Sequence, residues 1–430
     1  MAAINSPSGG NQPPSSQRME QFARQIVQKL REAGFVALYA GGCVRDQLLG
    51  NPPHDYDVAT DATPKHVQQL FRRSIGVGAQ FGVIEVLGPE PGLHVQVATF
   101  RSDGQYSDGR HPDSVRYGTA EDDAQRRDFT INGLFFDPLE GKVIDYVGGQ
   151  ADLRAKVVRA IGDPRQRIAE DKLRMLRAVR FVSRLGFTLE VQTGSAIREL
   201  HAQLKQVSAE RITDELKKML THPQRITALQ WLRDLRLLEV IFPMWESSKL
   251  EFKLVSALPE QVSFPLAWAA LLEDCQRACF DDALLTRQDL QSTFGRAFRL
   301  SQEEIQHVQY LVLSLKDLCM ADVIPWSRLK PLLAHAHRDD LITLLASDCQ
   351  AYGRSSNGLN YVRQRLSIWT QDHLEPRVLV TGDDVENLGV PHGPQYKVLL
   401  DAIRAAQLNE ELTTRESALE RLRELAATIR

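Results

Sequence analysis

The sequence predicts an α+β protein, with a head built on a small mixed sheet and a long all-helical run behind it. Three observations predict this. Short apolar runs bounded by Gly, Pro and Asp fill the first 150 or so residues, as strands and turns do. From Asp163 onward nearly every segment repeats its apolar residues with a period of 3.6. The 430 residues are 43% hydrophobic and 25% charged, a globular composition that excludes a wholly disordered chain, a collagen and a coiled coil.

The elements follow in order. Residues 1–17, mostly Ser, Pro, Gly, Asn and Gln, cannot bury a core and are expected to form a disordered tail. Their order is not that of a secretory signal. Phe22, Ile26, Val27 and Leu30 have helical spacing, so structure is expected from Arg18. A strand over Phe35–Tyr39 runs through Gly41-Gly42 into a helix over Val44–Leu49. Asp55–Ala59 reads as a strand, and Thr63-Pro64 opens a helix through Phe71. Gly82–Leu87 and His94–Phe100 read as a hairpin, and polar residues 101–125 as a mobile loop. Thr130–Phe136 and Val143–Asp145 close the sheet. Helices are expected over 164–185, 192–204, 208–220, 223–238, 261–280, 301–320, 326–349 and 358–370, and within 380–430.

Composition narrows the function. A net charge of −3 argues against a non-specific nucleic-acid coat. No run of about 18 apolar residues predicts a membrane span. Five scattered cysteines without a Cys-x-x-Cys pair suggest neither a disulfide framework nor a zinc site, which fits a reduced cytoplasmic protein.

Three constellations carry the chemistry. In Gly41-Gly42-Cys43-Val44-Arg45-Asp46, glycines between strand and helix let the backbone approach a phosphate at a helix N-terminus. Ten residues on, Asp55 and Asp57 would face one way on a strand, two carboxylates able to hold two hard cations. Arg126-Arg127-Asp128 offers guanidinium forks for triphosphate oxygens and an acceptor for a ribose hydroxyl. Third comes Glu170-Asp171-Lys172-Leu173-Arg174 with Arg177 and Arg180. On one helix Asp171 and Arg174 would be i, i+3 neighbours. An acceptor beside a donor complements the amino group and ring nitrogen of cytosine and adenine, and leaves uracil and guanine unpaired. Taken alone, each has a plain reading: strand-end caps, a surface charge cluster, a solvated ion pair.

Together these stretches resemble motifs A, B and D of the class II nucleotidyltransferases, which hold the tRNA CCA-adding enzymes, their CC- and A-adding relatives and the bacterial poly(A) polymerases. Ser208–Leu220 resembles the family's neck helix, whose part is to stabilise its neighbour. The resemblance implies a nucleotidyltransferase head with Mg2+ on Asp55 and Asp57. It implies nucleotide contacts from Gly42, Arg45, Asp46, Arg127, Asp128, Asp171, Arg174, Arg177 and Arg180. It implies addition of CCA to the tRNA 3′ end from CTP and ATP, with pyrophosphate released. An A-adding or poly(A)-forming relative is the nearest alternative, and a non-catalytic RNA-binding protein on the same scaffold is the alternative of another class.

Details sort within the family. Residues 74–83 contain no basic residue, unlike the corresponding stretch of the poly(A) polymerases. The loop Asp103–Pro112 is present, which argues against CC-only addition. Gln96 stands where the family commonly has Glu, with Glu85 as a candidate substitute, and Gly133 stands where Ala is usual, where it is expected to add only flexibility. The domains expected are a tail over 1–17, a head over 18–160, a neck binding nucleobase and RNA over 161–240, a helical body over 241–370, and a tRNA-binding tail over 371–430. The body resembles a phosphohydrolase scaffold without its His-Asp pair, since Glu273-Asp274 follows Leu266–Leu272 with no His, and His335 and His337 lack a matching set. Residues 161–220 hold twelve Lys and Arg against eight Asp and Glu, the local excess an RNA-facing neck needs. Neither DNA nor a membrane is an expected partner, and nothing in the sequence indicates an oligomer.

Overall fold

The computed structural model describes residues 15–78, 82–104, 115–243, 245–246, 249–279 and 286–429. The first 14 residues of the expected tail, and 105–114 of the expected mobile loop, lie outside these. Ser15–Gln17, expected in the tail, belong to the first helix: Ser15 caps it by accepting from Arg18 N.

That helix, α1 (Ser16–Glu32), buries Met19, Ala23, Ile26, Val27 and Leu30. The chain then runs through β1 (Ala37–Ala40), α2 (Gly42–Leu48), β2 (Asp57–Thr60), α3 (Pro64–Leu70), β3 (Ser74–Gly78), β4 (Val83–Leu87), β5 (His94–Thr99), β6 (Arg101–Asp103), β7 (Val115–Tyr117), α4 (Ala120–Gln125), β8 (Leu134–Asp137), β9 (Lys142–Asp145) and α5 (Gly149–Ala155). Seven strands form one sheet in the order β3-β4-β5-β2-β1-β8-β9. Within this sheet, among the described residues, β2 and β5 pair in parallel and the other pairs are antiparallel, so the sheet is mixed as expected. Successive side chains alternate faces. Tyr39 reaches Glu20 O of α1 at 3.2 Å, while Leu38, Ala40, Ala59 and Phe135 pack with Phe100 and Ala124. Both faces of the central strands are therefore covered.

Three expectations of secondary structure are corrected here. Asp55 is not on a strand: it lies in a bend, and β2 starts at Asp57. Thr130–Asn132 form a 3-10 turn instead of strand, and within the expected loop Arg101–Asp103 pairs with Val115–Tyr117 and Ala120–Gln125 is helical. Alternation could not reveal the turn, because Thr130, Ile131 and Asn132 are all buried. Gly133 also has a packing reason beyond flexibility. A Cβ there would come within 2.7 Å of Val147 Cγ2 and 3.2 Å of Ile161 Cδ1.

Beyond the sheet, β10 (Val157–Val158) pairs with β11 (Thr188–Leu189). Around them lie α6 (Pro164–Glu170), α7 (Arg174–Leu185), α8 (Val191–Leu200) and α9 (Ala209–Leu220). The expected continuous helix 164–185 is thus two helices. Asp171 closes α6 in an extended conformation (φ −145°, ψ 105°) and breaks the helical ladder.

The contacts divide the chain into two compact units, Met1–Glu215 with Gln230–Pro243, and Leu216–Leu229 with Met244–Arg430. α10 (Arg225–Asp234) and α11 (Leu237–Ile241) follow α9. In the second unit come α12 (Lys253–Ala257), α13 (Phe264–Cys279), α14 (Arg287–Gln291), α15 (Gln302–Cys319), α16 (Trp326–Ala334), α17 (Arg338–Tyr352) and α18 (Asn357–Leu366). Trp268 is fully buried between Phe264 and Phe298. The chain ends in α19 (Gln371–Leu374), α20 (Gly382–Asn387), α21 (Pro394–Leu408) and α22 (Arg415–Ile429), the last three closing on Val385, Leu399, Ile403, Ala418 and Leu422. Lys330, 1% exposed, reaches Glu410 at 2.8 Å between the rings of Trp326 and Trp369. A buried ammonium needs such a partner.

Candidate active site

The site is built where β1 meets α2 and β2 begins. Gly41 leaves β1 with φ +73°, a conformation costly for any residue with a Cβ. Added bulk there would also meet Arg127 Nη1 at 2.8 Å. The double glycine therefore serves close approach, and here the close neighbour is a guanidinium. Gly41, Gly42, Arg45, Asp57, Arg126, Arg127, Asp128, Asn132, Asp171, Arg174, Arg177, Arg180 and Phe181 line one cavity of about 430 Å³. Nine of the eleven residues singled out from sequence are on its wall. Asp46 is not: it accepts from Arg45 Nε at 2.8 Å. Asp55 is not on the wall either, but its charge is felt at Asp57.

Asp57 carries the strain of the arrangement. Loss of hydration raises its carboxyl pKa, Arg127 opposes the shift, and Asp55 reinforces it. Two hard oxygen donors that repel one another fit a divalent cation, which removes the repulsion. Two carboxylates fill only part of an octahedral shell, so the pair would leave the other coordination positions to substrate and water. Gln96 is in register with Asp57 across the parallel β2–β5 pair, and Glu85 is in register with Gln96 across β4–β5. Asp57, Gln96 and Glu85 thus form one row, where Glu85 lies 3.6 Å from His94.

A polar network holds the rest. Arg45 Nη1 donates to Asn132 Oδ1 at 2.7 Å, and Asn132 Nδ2 donates to Asp128 Oδ1 at 3.0 Å. Arg177 donates to Asp128 Oδ2 at 2.8 Å, and Phe129 N to Oδ1 at 2.8 Å. Burial alone would raise the Asp128 pKa. Arg177, Asn132 and the Phe129 amide outweigh it and hold Asp128 at about 2. Asp123, 1% exposed, grips both neighbouring arginines: Arg126 Nη2 at 2.6 Å and Arg127 Nη2 at 2.8 Å. Phe181 lies under Arg45, Arg177 and Arg180 at 5.1, 5.4 and 4.4 Å from the ring centre.

The helix break at 171–173 changes the third constellation. Asp171 and Arg174 do not pair with one another along a helical row. Arg174 Nη1 donates to Glu170 Oε2 and to Arg167 O, both at 2.7 Å, and Nη2 donates to Arg126 O at 3.2 Å. Asp171 Oδ2 accepts from Arg211 at 2.8 Å and Oδ1 from Leu173 N at 3.0 Å. Each is held from behind by its own partner, while both stand on the cavity wall. Arg180 is anchored likewise, 2.6 Å from Glu215. Sequence reasoning missed Asp123, Asn132, Phe181 and Arg211 as parts of the site. Asn132 lay in the expected strand Thr130–Phe136 and Arg211 in the neck-helix stretch Ser208–Leu220, and nothing in residue spacing marked Asp123 or Phe181.

Residues 37–159 match the Poly A polymerase head domain, and residues 186–249 match the probable RNA and SrmB-binding site of polymerase A. A CCA-adding enzyme of Geobacillus sp. (strain WCH70) is 34% identical over 397 residues, 91% of this chain and 93% of that protein. The crystal structure of the Bacillus stearothermophilus CCA-adding enzyme in complex with CTP superposes with a TM-score of 0.79 at 30% identity, covering 95% of this chain and 98% of that one. The Thermotoga maritima CCA-adding enzyme complexed with tRNA shares the fold, at a TM-score of 0.62 and 20% identity.

Proposed function

The chain belongs to the CCA-adding enzyme family, and on that premise we propose which residues do the work. The enzyme is a nucleotidyltransferase that completes the CCA end of tRNA from CTP and ATP without a nucleic-acid template. The tRNA 3′-hydroxyl attacks the α-phosphorus and pyrophosphate leaves. The observation that carries the residue assignment is one cavity that unites the carboxylate Asp57, the arginines of the second constellation, and the separately anchored Asp171 and Arg174.

In this reading Asp55 and Asp57 hold Mg2+, which when bound lowers the hydroxyl pKa and neutralises charge on the leaving group. Arg127, kept in place by Asp123, meets triphosphate oxygens. Arg45 and Gly42 border the same phosphate path at the α2 N-terminus, and Asp46 steers Arg45. Asp128 is the hub that aims Arg177, with the ribose as its further partner. Asp171 accepts from the base amino group and Arg174 donates to the ring nitrogen. Because Glu170 and Arg211 hold these two from behind, they keep their geometry when the base changes from cytosine to adenine. Residues 18–160 act as head, 161–240 as the neck that reads base and RNA, 241–370 as body and 371–430 as a tail on tRNA, in the cytoplasm. No helix among the described residues is long and apolar enough to cross a membrane.

The test uses three tRNA transcripts, ending before CCA, after one C, and after CC. Each is incubated with Mg2+ and CTP, ATP or both. Extension of all three to a single CCA end is expected. Extension of only the CC-ended transcript, by ATP alone, would mean an A-adding enzyme.

A further inference from the structure

A second cleft among the described residues lies in the helical body, apart from the candidate active site. Between α13 and α15 a cavity of about 540 Å³ opens, within the size range of about 300–1,000 Å³ typical of small-ligand sites. One wall is apolar: Val312 and Leu315 of α15, then Met320, which is 40% exposed. Three cations line it, Arg277, Lys316 and Arg354, together with Glu273. Arg277 is spent, 2.6 Å from the fully buried Asp348 and 3.2 Å from Glu273. Arg354 lies 3.6 Å from Asp348 and is half exposed. Lys316 is exposed and has no ion-pair or hydrogen-bond partner among the described residues. Glu273 is 9% exposed, and burial pushes its carboxyl up to about 7, against the pull of Arg277 and Arg354 and with the push of Asp348 and Asp274. Asp317 beside Lys316 is engaged by Arg328 through two contacts of 2.7 Å. A cleft with an apolar wall, convergent cations and one uncommitted lysine suits a ligand with a charged head and an apolar body.

We propose that this cleft is a second ligand site, for a small organic anion. Its acidic head is held by Lys316 and Arg354, and its apolar body lies on Val312, Leu315 and Met320. The head is a carboxylate or a phosphate monoester. Glu273 tunes the site: protonated, it removes a negative charge facing the head, so affinity falls as pH rises through 7.

The test uses the full chain with 13C-methyl methionine, the Met320 signal being assigned by Met320→Leu. Benzoate, phenyl phosphate and inorganic phosphate are titrated separately. At least one aromatic anion is expected to shift the Met320 methyl saturably, with inorganic phosphate about tenfold weaker for want of an apolar body. Stronger phenyl phosphate assigns the monoester, and stronger benzoate the carboxylate. Lys316→Ala is expected to weaken binding about tenfold and to leave CCA addition unchanged. Benzoate stays fully ionised from pH 6 to 8, so its weakening over that range reports Glu273, and Glu273→Gln is expected to abolish it. No saturable shift up to about 10 mM, or equal binding by Lys316→Ala, overturns the proposal.

Discussion

Two buried carboxylates of this chain meet opposite fates. Asp128, in the head, is held at about 2 by Arg177, Asn132 and the Phe129 amide. Glu273, in the helical body, is pushed up to about 7 with one guanidinium contact, at 3.2 Å, from an arginine it shares with Asp348. Their exposures are nearly equal, 8% and 9%. Burial therefore does not decide the charge state; the donors aimed at the oxygens do. The head has spent its polar groups on fixing charges for a charged substrate. The body leaves a proton only loosely committed.

The sharpest way to break this comparison is to remove one partner of the well-served acid. Asp128→Ala leaves Arg177, a third exposed, without its carboxylate and is expected to cost about 3 kcal/mol in chemical denaturation. A loss below about 1 kcal/mol would show that Asp128 is not a structural hub. Glu273→Gln should act in the opposite direction. Its raised folded-state pKa means that wild type is penalised once the pH exceeds the unfolded value, with the full penalty reached above 7. The variant is therefore expected to gain on the order of 3 kcal/mol at pH 8 and almost nothing near pH 4. A pH-independent difference would contradict the assignment. The depressed Asp128 contributes stability above its unfolded pKa that is lost as pH falls toward 2, about 2 kcal/mol. Acid titration of wild type against Asp128→Asn measures it, and parallel curves would refute it. The smallest effect is expected at Arg211→Ala, which frees Asp171 without removing it. Discrimination against UTP should fall about tenfold in single-nucleotide incorporation while the fold persists. Unchanged discrimination would make Arg211 merely structural.

Much of the site could be read from residue types and their spacing. Gly-Gly at a strand end, paired aspartates and an Arg-Arg-Asp run have local causes, and local causes are legible. Five of the seven residues chosen from those runs, all but Asp46 and Asp55, reach one cavity for that reason. The geometry of the third constellation was not legible. Periodicity continued smoothly across 171–173, yet Asp171 turns its carboxylate to its own chain at Leu173 N and across to Arg211, forty positions away. Such a long-range partner leaves no periodic trace. Asp123 was hidden likewise, since its importance lies in gripping two arginines that already had an evident purpose. The Glu273 cleft is assembled from α13, α15 and the end of α17, and no motif announces it.

Two anchored side chains, not a nucleic acid, are proposed to choose the base. Arg174→Ala tests it most directly. A transcript ending in CC is extended with ATP, CTP, UTP or GTP by wild type and variant, and single-nucleotide products are quantified under one-turnover conditions. Wild type is expected to prefer ATP strongly, and the variant to lose this preference by at least about a hundredfold, through slower ATP use and measurable UTP or GTP use. Retention of the full preference by a folded, active Arg174→Ala variant would contradict it.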